Sequence, residues 1–219
     1  MHYRKYYNKM VRGHIQEKRL ARVRDGARQI GKTTLIRQFA KDYDGDNFVE
    51  INFINTPSAK EIFAGDISVD GIISKLTLFL RRPLTPHKTL IFFDEVQECL
   101  EVRTAIKFLV DDGRFDYIES GSLLGINYKE IKSYAVGYEE NRTMYPMDFE
   151  EFAIANGIQQ SIFDMLRDCY ERRVPVDEFV HTPRMQLFTY YVIFGGMPAV
   201  VPEFVNYKDM GSVACVQSE

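Results

Sequence analysis

Apolar positions along the chain keep two alternating periods. After Lys32, the residues Leu35, Ile36, Phe39 and Ala40 recur at the spacing of one helix face. Residues 48–54 then read as a strand, bounded by Asp44-Gly45-Asp46 and Asn55-Thr56-Pro57. Ile72, Ile73, Leu76, Phe79 and Leu80 predict a second helix, stopped by Pro83 and Pro86. Residues 89–93 form a short run, apolar from Leu90 to Phe93, that predicts a strand buried on both faces. Val102, Ala105, Ile106, Leu109 and Val110 make a third helical stripe ended by Gly113, and residues 115–120 read as a further strand. Such alternation builds an α/β fold with a mostly parallel sheet covered by helices, and ligands gather at the carboxyl ends of its strands.

Beyond Pro146 the spacing is helical throughout, over 149–155, 162–170 and 187–194, with breaks at Val174-Pro175 and Gly195-Gly196-Met197-Pro198. The expected organisation is a core over residues 1–147 and a small helical lid over 148–219. Leu187, Tyr190, Tyr191 and Phe194 form a wide apolar stripe, followed by Val200, Val201, Phe204, Val205 and Val213 with little chain left to cover them. An exposed apolar patch and self-association are the expected result.

Composition narrows the class. With 45% hydrophobic and 27% charged residues the chain is too apolar to be disordered. Its formal charge of −3 gives no overall basic footprint for nucleic acid, although a local patch stays compatible with it. Arg4-Lys5 among Tyr3, Tyr6 and Tyr7 reads as an amphipathic edge in preference to a base-stacking patch. No apolar run approaches the roughly 18 residues of a membrane span, and no apolar segment follows the charged N-terminus as in a secretory signal. Cys99, Cys169 and Cys215 are odd in number and far apart, which suits plain thiols in a reducing, cytoplasmic interior. His2, His14, His87 and His181 form no i, i+4 pair, so no zinc site is expected.

The chemistry concentrates in three places. Gly26-Ala27-Arg28-Gln29-Ile30-Gly31-Lys32-Thr33 matches the phosphate-binding pattern G-x-x-x-x-G-K-[ST], with Thr34 next in the helix. Its glycines let successive N–H groups turn toward a phosphate, and the following helix presents its positive end to the same anion. Lys32 adds a full charge, and Thr33 a hydroxyl for a Mg²⁺, which takes oxygen ligands. Leu90-Ile91-Phe92-Phe93-Asp94-Glu95 is an apolar strand ending in two acids, with Asp94 expected to hold the metal and Glu95 to act as base toward water. Ser120-Gly121-Ser122 follows the next strand, where a hydroxyl can sense the terminal phosphate or its attacking water. Arg142, Arg167, Arg172, Arg173 and Arg184 are candidates for a charge-stabilising arginine, and the sequence does not choose among them.

The glycine-rich pattern from Gly26 to Thr33, with Phe92-Phe93-Asp94-Glu95-Val96-Gln97, Tyr117-Ile118-Glu119-Ser120-Gly121-Ser122-Leu123, Tyr145-Pro146-Met147-Asp148-Phe149-Glu150-Glu151-Phe152 and Gly195-Gly196-Met197-Pro198, makes the chain resemble a family of archaeal and bacterial AAA+-like ATPases. The family is of the signal-transducing P-loop type and carries a C-terminal domain of unknown function. The resemblance covers almost the whole chain and implies a three-layer α/β/α P-loop NTPase core. It further implies ATP with Mg²⁺, hydrolysis by the Asp94-Glu95 pair, and a sensor at Ser120 or Ser122. Two departures stand out. The strand feeding the loop, Leu20-Ala21-Arg22-Val23-Arg24-Asp25, carries three charges where a central strand is usually apolar, and the chain stops soon after Gly195-Gly196-Met197-Pro198, as a truncated member would. Two other readings share the same residues: a nucleotide-gated module that binds a protein or DNA partner with little turnover, and a P-loop kinase for a small molecule. The lack of an Asn-Lys-x-Asp guanine motif, with Asn8-Lys9 missing the later Asp, agrees with adenine.

Overall fold

The computed structural model describes residues 5, 7, 21–27, 29–44, 47–121, 139–198 and 201. The chain divides into two units, Met10–Met144 and Met1–Lys9 together with Tyr145–Glu219.

In the first unit, β1 (Ala21–Asp25), β2 (Phe48–Asn52), β3 (Leu90–Asp94), β4 (Asp116–Ser120) and β5 (Glu139–Thr143) form one sheet in the order β2-β3-β4-β1-β5. All four pairings are parallel. Parallel neighbours need crossovers, and three of these are helical: α1 (Lys32–Asp44), α2 (Val69–Leu80) and α3 (Glu101–Asp112). Short 3-10 turns, Pro57–Phe63 and Val96–Glu98, precede α2 and α3.

Side chains alternate across each strand, and the two faces of the sheet differ accordingly. Val49, Ile51, Phe53, Ile91, Phe93 and Tyr117 join the apolar stripes of α2 and α3 in one buried core. The Phe93 ring stacks on Phe53 and Tyr117, each at 6.2 Å, and meets Phe63 edge-on at 5.4 Å. Each such fully buried ring contributes about 1.5–3 kcal/mol. The opposite face carries α1. Arg37 forms a two-bond ion pair with Glu50 of β2, and the Tyr43 hydroxyl donates to Asp116 of β4 at 2.6 Å.

Two strands differ from the sequence expectation. β2 ends at Asn52, because the Asn52 side-chain oxygen accepts from the N–H groups of Ile54 and Asn55 and turns the chain out of the sheet. β5 has no counterpart among the predicted elements: Glu139-Glu140-Asn141-Arg142-Thr143 has no apolar residue, and backbone pairing with β1 alone makes it a strand. β1 has backbone partners on both sides, which explains how a charged sequence sits inside a sheet.

In the second unit, α4 (Phe149–Ala155), α5 (Gln160–Arg172) and α6 (Glu178–Phe194) follow one another. Asp148 and Glu151 form a reciprocal capping box at the start of α4. α6 begins nine residues earlier than its apolar stripe suggests and contains Pro183, started by the Asp177 carboxylate accepting from the Phe179 N–H at 2.8 Å. Met147, Phe152 and Val201 form a small core with Phe149, Leu187, Tyr190 and Tyr191 packed on it. Gly196 lies against Met147, whose N–H donates to the Gly196 carbonyl at 2.7 Å; a Cβ on Gly196 would stand 1.8 Å from the Met147 oxygen. Lys5 binds Asp148 and Glu150 through its ammonium, and its backbone N–H donates to Glu151. No described helix is long and apolar enough to cross a membrane.

Candidate functional site

The loop joining β1 to α1 is the phosphate-binding pattern, so the motif stands at the carboxyl end of an internal strand and the start of a helix. Gly26 has φ 150° and is packed so closely that a Cβ would lie 2.5 Å from the Met144 carbonyl oxygen and 2.6 Å from Ile30 Cδ1. Only glycine fits there. Gln29 and Gly31 also have positive φ, while fully buried Ile30 anchors the loop between exposed Ala27 and Gln29 and half-buried Gly31. Arg28 lies outside the described residues.

Lys32 is buried, and its ammonium donates to the carbonyl oxygens of Gly26 at 2.8 Å and Ala27 at 2.7 Å. The lysine therefore folds back along its own loop. The next residue, Thr33, donates its hydroxyl to Asp94 Oδ2 at 3.0 Å, while Thr34 is exposed.

Asp94 is the meeting point of the site, at 2% exposure. Asn52, Asp94 and Ser120 occupy equivalent positions on three adjacent strands, and a parallel register points all three side chains the same way. Asn52 Nδ2 donates to Asp94 Oδ2 at 3.0 Å, and the fully buried Ser120 hydroxyl donates to Oδ1. The Glu95 N–H adds a bond to Oδ1 at 3.1 Å. Each carboxylate oxygen thus accepts two hydrogen bonds, filling the acceptor sites of an ionised carboxylate.

Glu95 is half-buried and left-handed, with φ 58° and ψ 46°, and its Oε2 accepts from Gln97 Nε2 at 2.5 Å. One residue before Ser120, Glu119 is fully buried on the other face of β4, with Arg103 of α3 at 3.8 Å. Gly121 is buried, and Ser122 lies outside the described residues.

The sequence-predicted Lys32, Thr33, Asp94, Glu95 and Ser120 therefore come together at one end of the sheet. Of the candidate arginines, Arg142 lies in this unit, in β5 opposite Arg24 of β1. The others belong to the helical unit: Arg167 pairs with Glu150 and Asp164, Arg172 with Asp168, Arg173 ends α5, and Arg184 donates to the Val180 carbonyl. Asn52, which touches Asp94, was not among the sequence-predicted residues, and Gln97, which touches Glu95, stood in the Phe92 to Gln97 block without a role of its own. Asn52 carried a signal, as the polar residue ending the strand beside β3.

Backbone N–H groups of a glycine loop, a helix start and a lysine suit a phosphate. The Thr33 hydroxyl and Asp94 carboxylate are both hard oxygen donors, which suits Mg²⁺. Among the described residues no group of three or more His, Cys, Asp or Glu gathers as a metal cluster.

A family model described as an AAA domain matches residues 20–153. No curated protein shows a significant match. Among solved structures, AMPPCP-bound DnaA from Aquifex aeolicus is similar with a TM-score of 0.53 and 10% identity, over 94% of this chain and 62% of that one. The ORC1 protein of Aeropyrum pernix in complex with DNA follows at 0.47 and 11% identity, over 100% of this chain and 65% of that one. PCH-2 of C. elegans gives 0.43 and 15%, over 97% of this chain and 66% of that one. The chain thus spans less than two thirds of the length of each.

Proposed function

Because the chain belongs to the AAA domain family, we propose that it is a cytoplasmic ATPase that binds ATP with Mg²⁺ and hydrolyses it. The observation that carries this reading is the convergence of Thr33, Asn52 and Ser120 on the Asp94 carboxylate, which joins that carboxylate to the last residue of the glycine-loop pattern. The loop N–H groups from Gly26 to Thr34 would bind the phosphates, and Lys32 would exchange two loop carbonyls for a charged phosphate oxygen, a stronger partner. Thr33 and Asp94 would hold Mg²⁺, which when bound neutralises charge on the phosphate oxygens. Glu95 would take the proton of the attacking water, and Ser120, with Ser122 as the other candidate, would report the state of the terminal phosphate through Asp94.

Lys32→Ala is expected to abolish nucleotide binding in a fluorescent-nucleotide titration. Glu95→Gln is expected to retain binding while turnover falls by a factor of about 10² to 10⁴. Equal loss of binding in both variants would sink the assignment.

A second reading, a switch with slow turnover, draws on the same carboxylate: Asp94 touches groups from α1, β2 and β4, so a shift of this side chain would reach three elements at once. Its test is the affinity for a protein or DNA partner with ATP against ADP; equal affinities for every partner end it. We add self-association to this reading, since Phe179, Met185, Val192 and Ile193 on α6 are exposed. A single monomeric mass in light scattering at high concentration would remove it.

A further inference from the structure

We infer that Gln97 is a positioning residue for Glu95, holding the carboxylate in the orientation from which it takes a proton; the inference rests on the ATPase reading above. Gln97 Nε2 donates to Glu95 Oε2 at 2.5 Å. A regular turn would not produce that contact, because side chains two residues apart lie on different sides of a helical turn. It arises here because Glu95 stands just ahead of the Val96–Glu98 turn in the left-handed conformation, at φ 58° and ψ 46°. A residue with a β-carbon keeps that conformation only where its surroundings enforce it, and such residues cluster at functional sites.

The enforcement is visible on both sides. The Glu95 N–H donates to Asp94 Oδ1, and the Glu95 carbonyl accepts from the Glu98 N–H at 3.0 Å. Val96 is fully buried, and its carbonyl accepts from the Cys99 N–H at 3.0 Å. The turn is therefore fixed to β3 at one end and to the core at the other, and Gln97 extends from a rigid base. An amide donor on one carboxylate oxygen stops rotation about the last side-chain bond and aims the other oxygen. It does so without titrating and without the full charge of a lysine, which would compete for the carboxylate's negative charge.

The test is a double-mutant cycle on the full chain. Gln97→Leu keeps the size and loses the donor, and Gln97→Glu keeps the length and loses the donor. Each is expected to lower kcat about ten- to a hundredfold, with nucleotide Kd within about twofold of wild type. In Glu95→Gln/Gln97→Leu the second substitution should add nothing, because the group it positions is gone. A purely structural role would give multiplying losses and a raised Kd, and either result overturns the inference. Loss of turnover in Glu95→Gln with none in Gln97→Leu overturns this inference alone. Wild-type turnover in Glu95→Gln overturns Glu95 as the base and this inference with it, whereas absence of turnover in the wild-type chain overturns the ATPase reading itself. A readout independent of turnover is the Gln97 side-chain amide resonance, expected to shift in Glu95→Ala; no shift would equally overturn the contact.

Discussion

At Asp94 four donors arrive from different parts of the chain, and losing one has a calculable effect. Ser120→Ala leaves a buried carboxylate oxygen one hydrogen bond short and should cost about 1–3 kcal/mol. A lower urea midpoint with unchanged slope would show it. Cys99 behaves oppositely: burial pushes its thiol up to about 12, with the Glu101 carboxylate adding to the shift. We expect native Cys99 to resist alkylation at neutral pH while half-buried Cys169 reacts, as peptide mapping by mass would show. The residues of the site readable from sequence were those whose chemistry needs contiguous neighbours, Gly26 to Thr33 and Asp94-Glu95. Asn52 was not, because its place depends on strand register, and Gln97 was visible only as part of a motif, because its contact with Glu95 depends on a left-handed backbone at that neighbour.

Elements were legible where burial on one side leaves a period. The stripes of α1, α2 and α3 are of that kind, while β3, buried on both faces, was legible as an unbroken apolar run. β5 escaped because an edge strand held by backbone bonds needs no apolar face, and α6 was shortened because Pro183 conceals a start defined by the Asp177 cap. Between elements, the buried Arg103–Glu119 pair ties α3 to β4. Glu119→Gln should destabilise the first unit by about 3–5 kcal/mol, and Arg103→Met/Glu119→Leu should recover part of it, both read by urea unfolding. Gly196→Ala should break the Met147 contact and expose the helical unit to limited proteolysis.

For the molecule as a whole, the second unit carries a pH dependence of its own. Burial alone would raise the Glu150 carboxyl, but Lys5, Gln160 and Arg167 bring it down from 4.5 to about 2. A lowered carboxyl contributes stability above its unfolded value, and that contribution is lost as pH falls from about 4.5 toward about 2. Thermal melts across that window should show a slope that Glu150→Gln flattens. The sheet order of the first unit bears on how the chain is born. β1 leaves the ribosome ahead of its partners, since Arg22 pairs with Ile118 and Glu140, so both strands that flank β1 are synthesised long after the loop it leads into. Such distant pairing makes folding slow, and a nascent chain would carry its glycine loop unsupported until β5 has emerged. Stalled chains of increasing length should therefore gain nucleotide binding in one step, once residue 143 clears the exit tunnel.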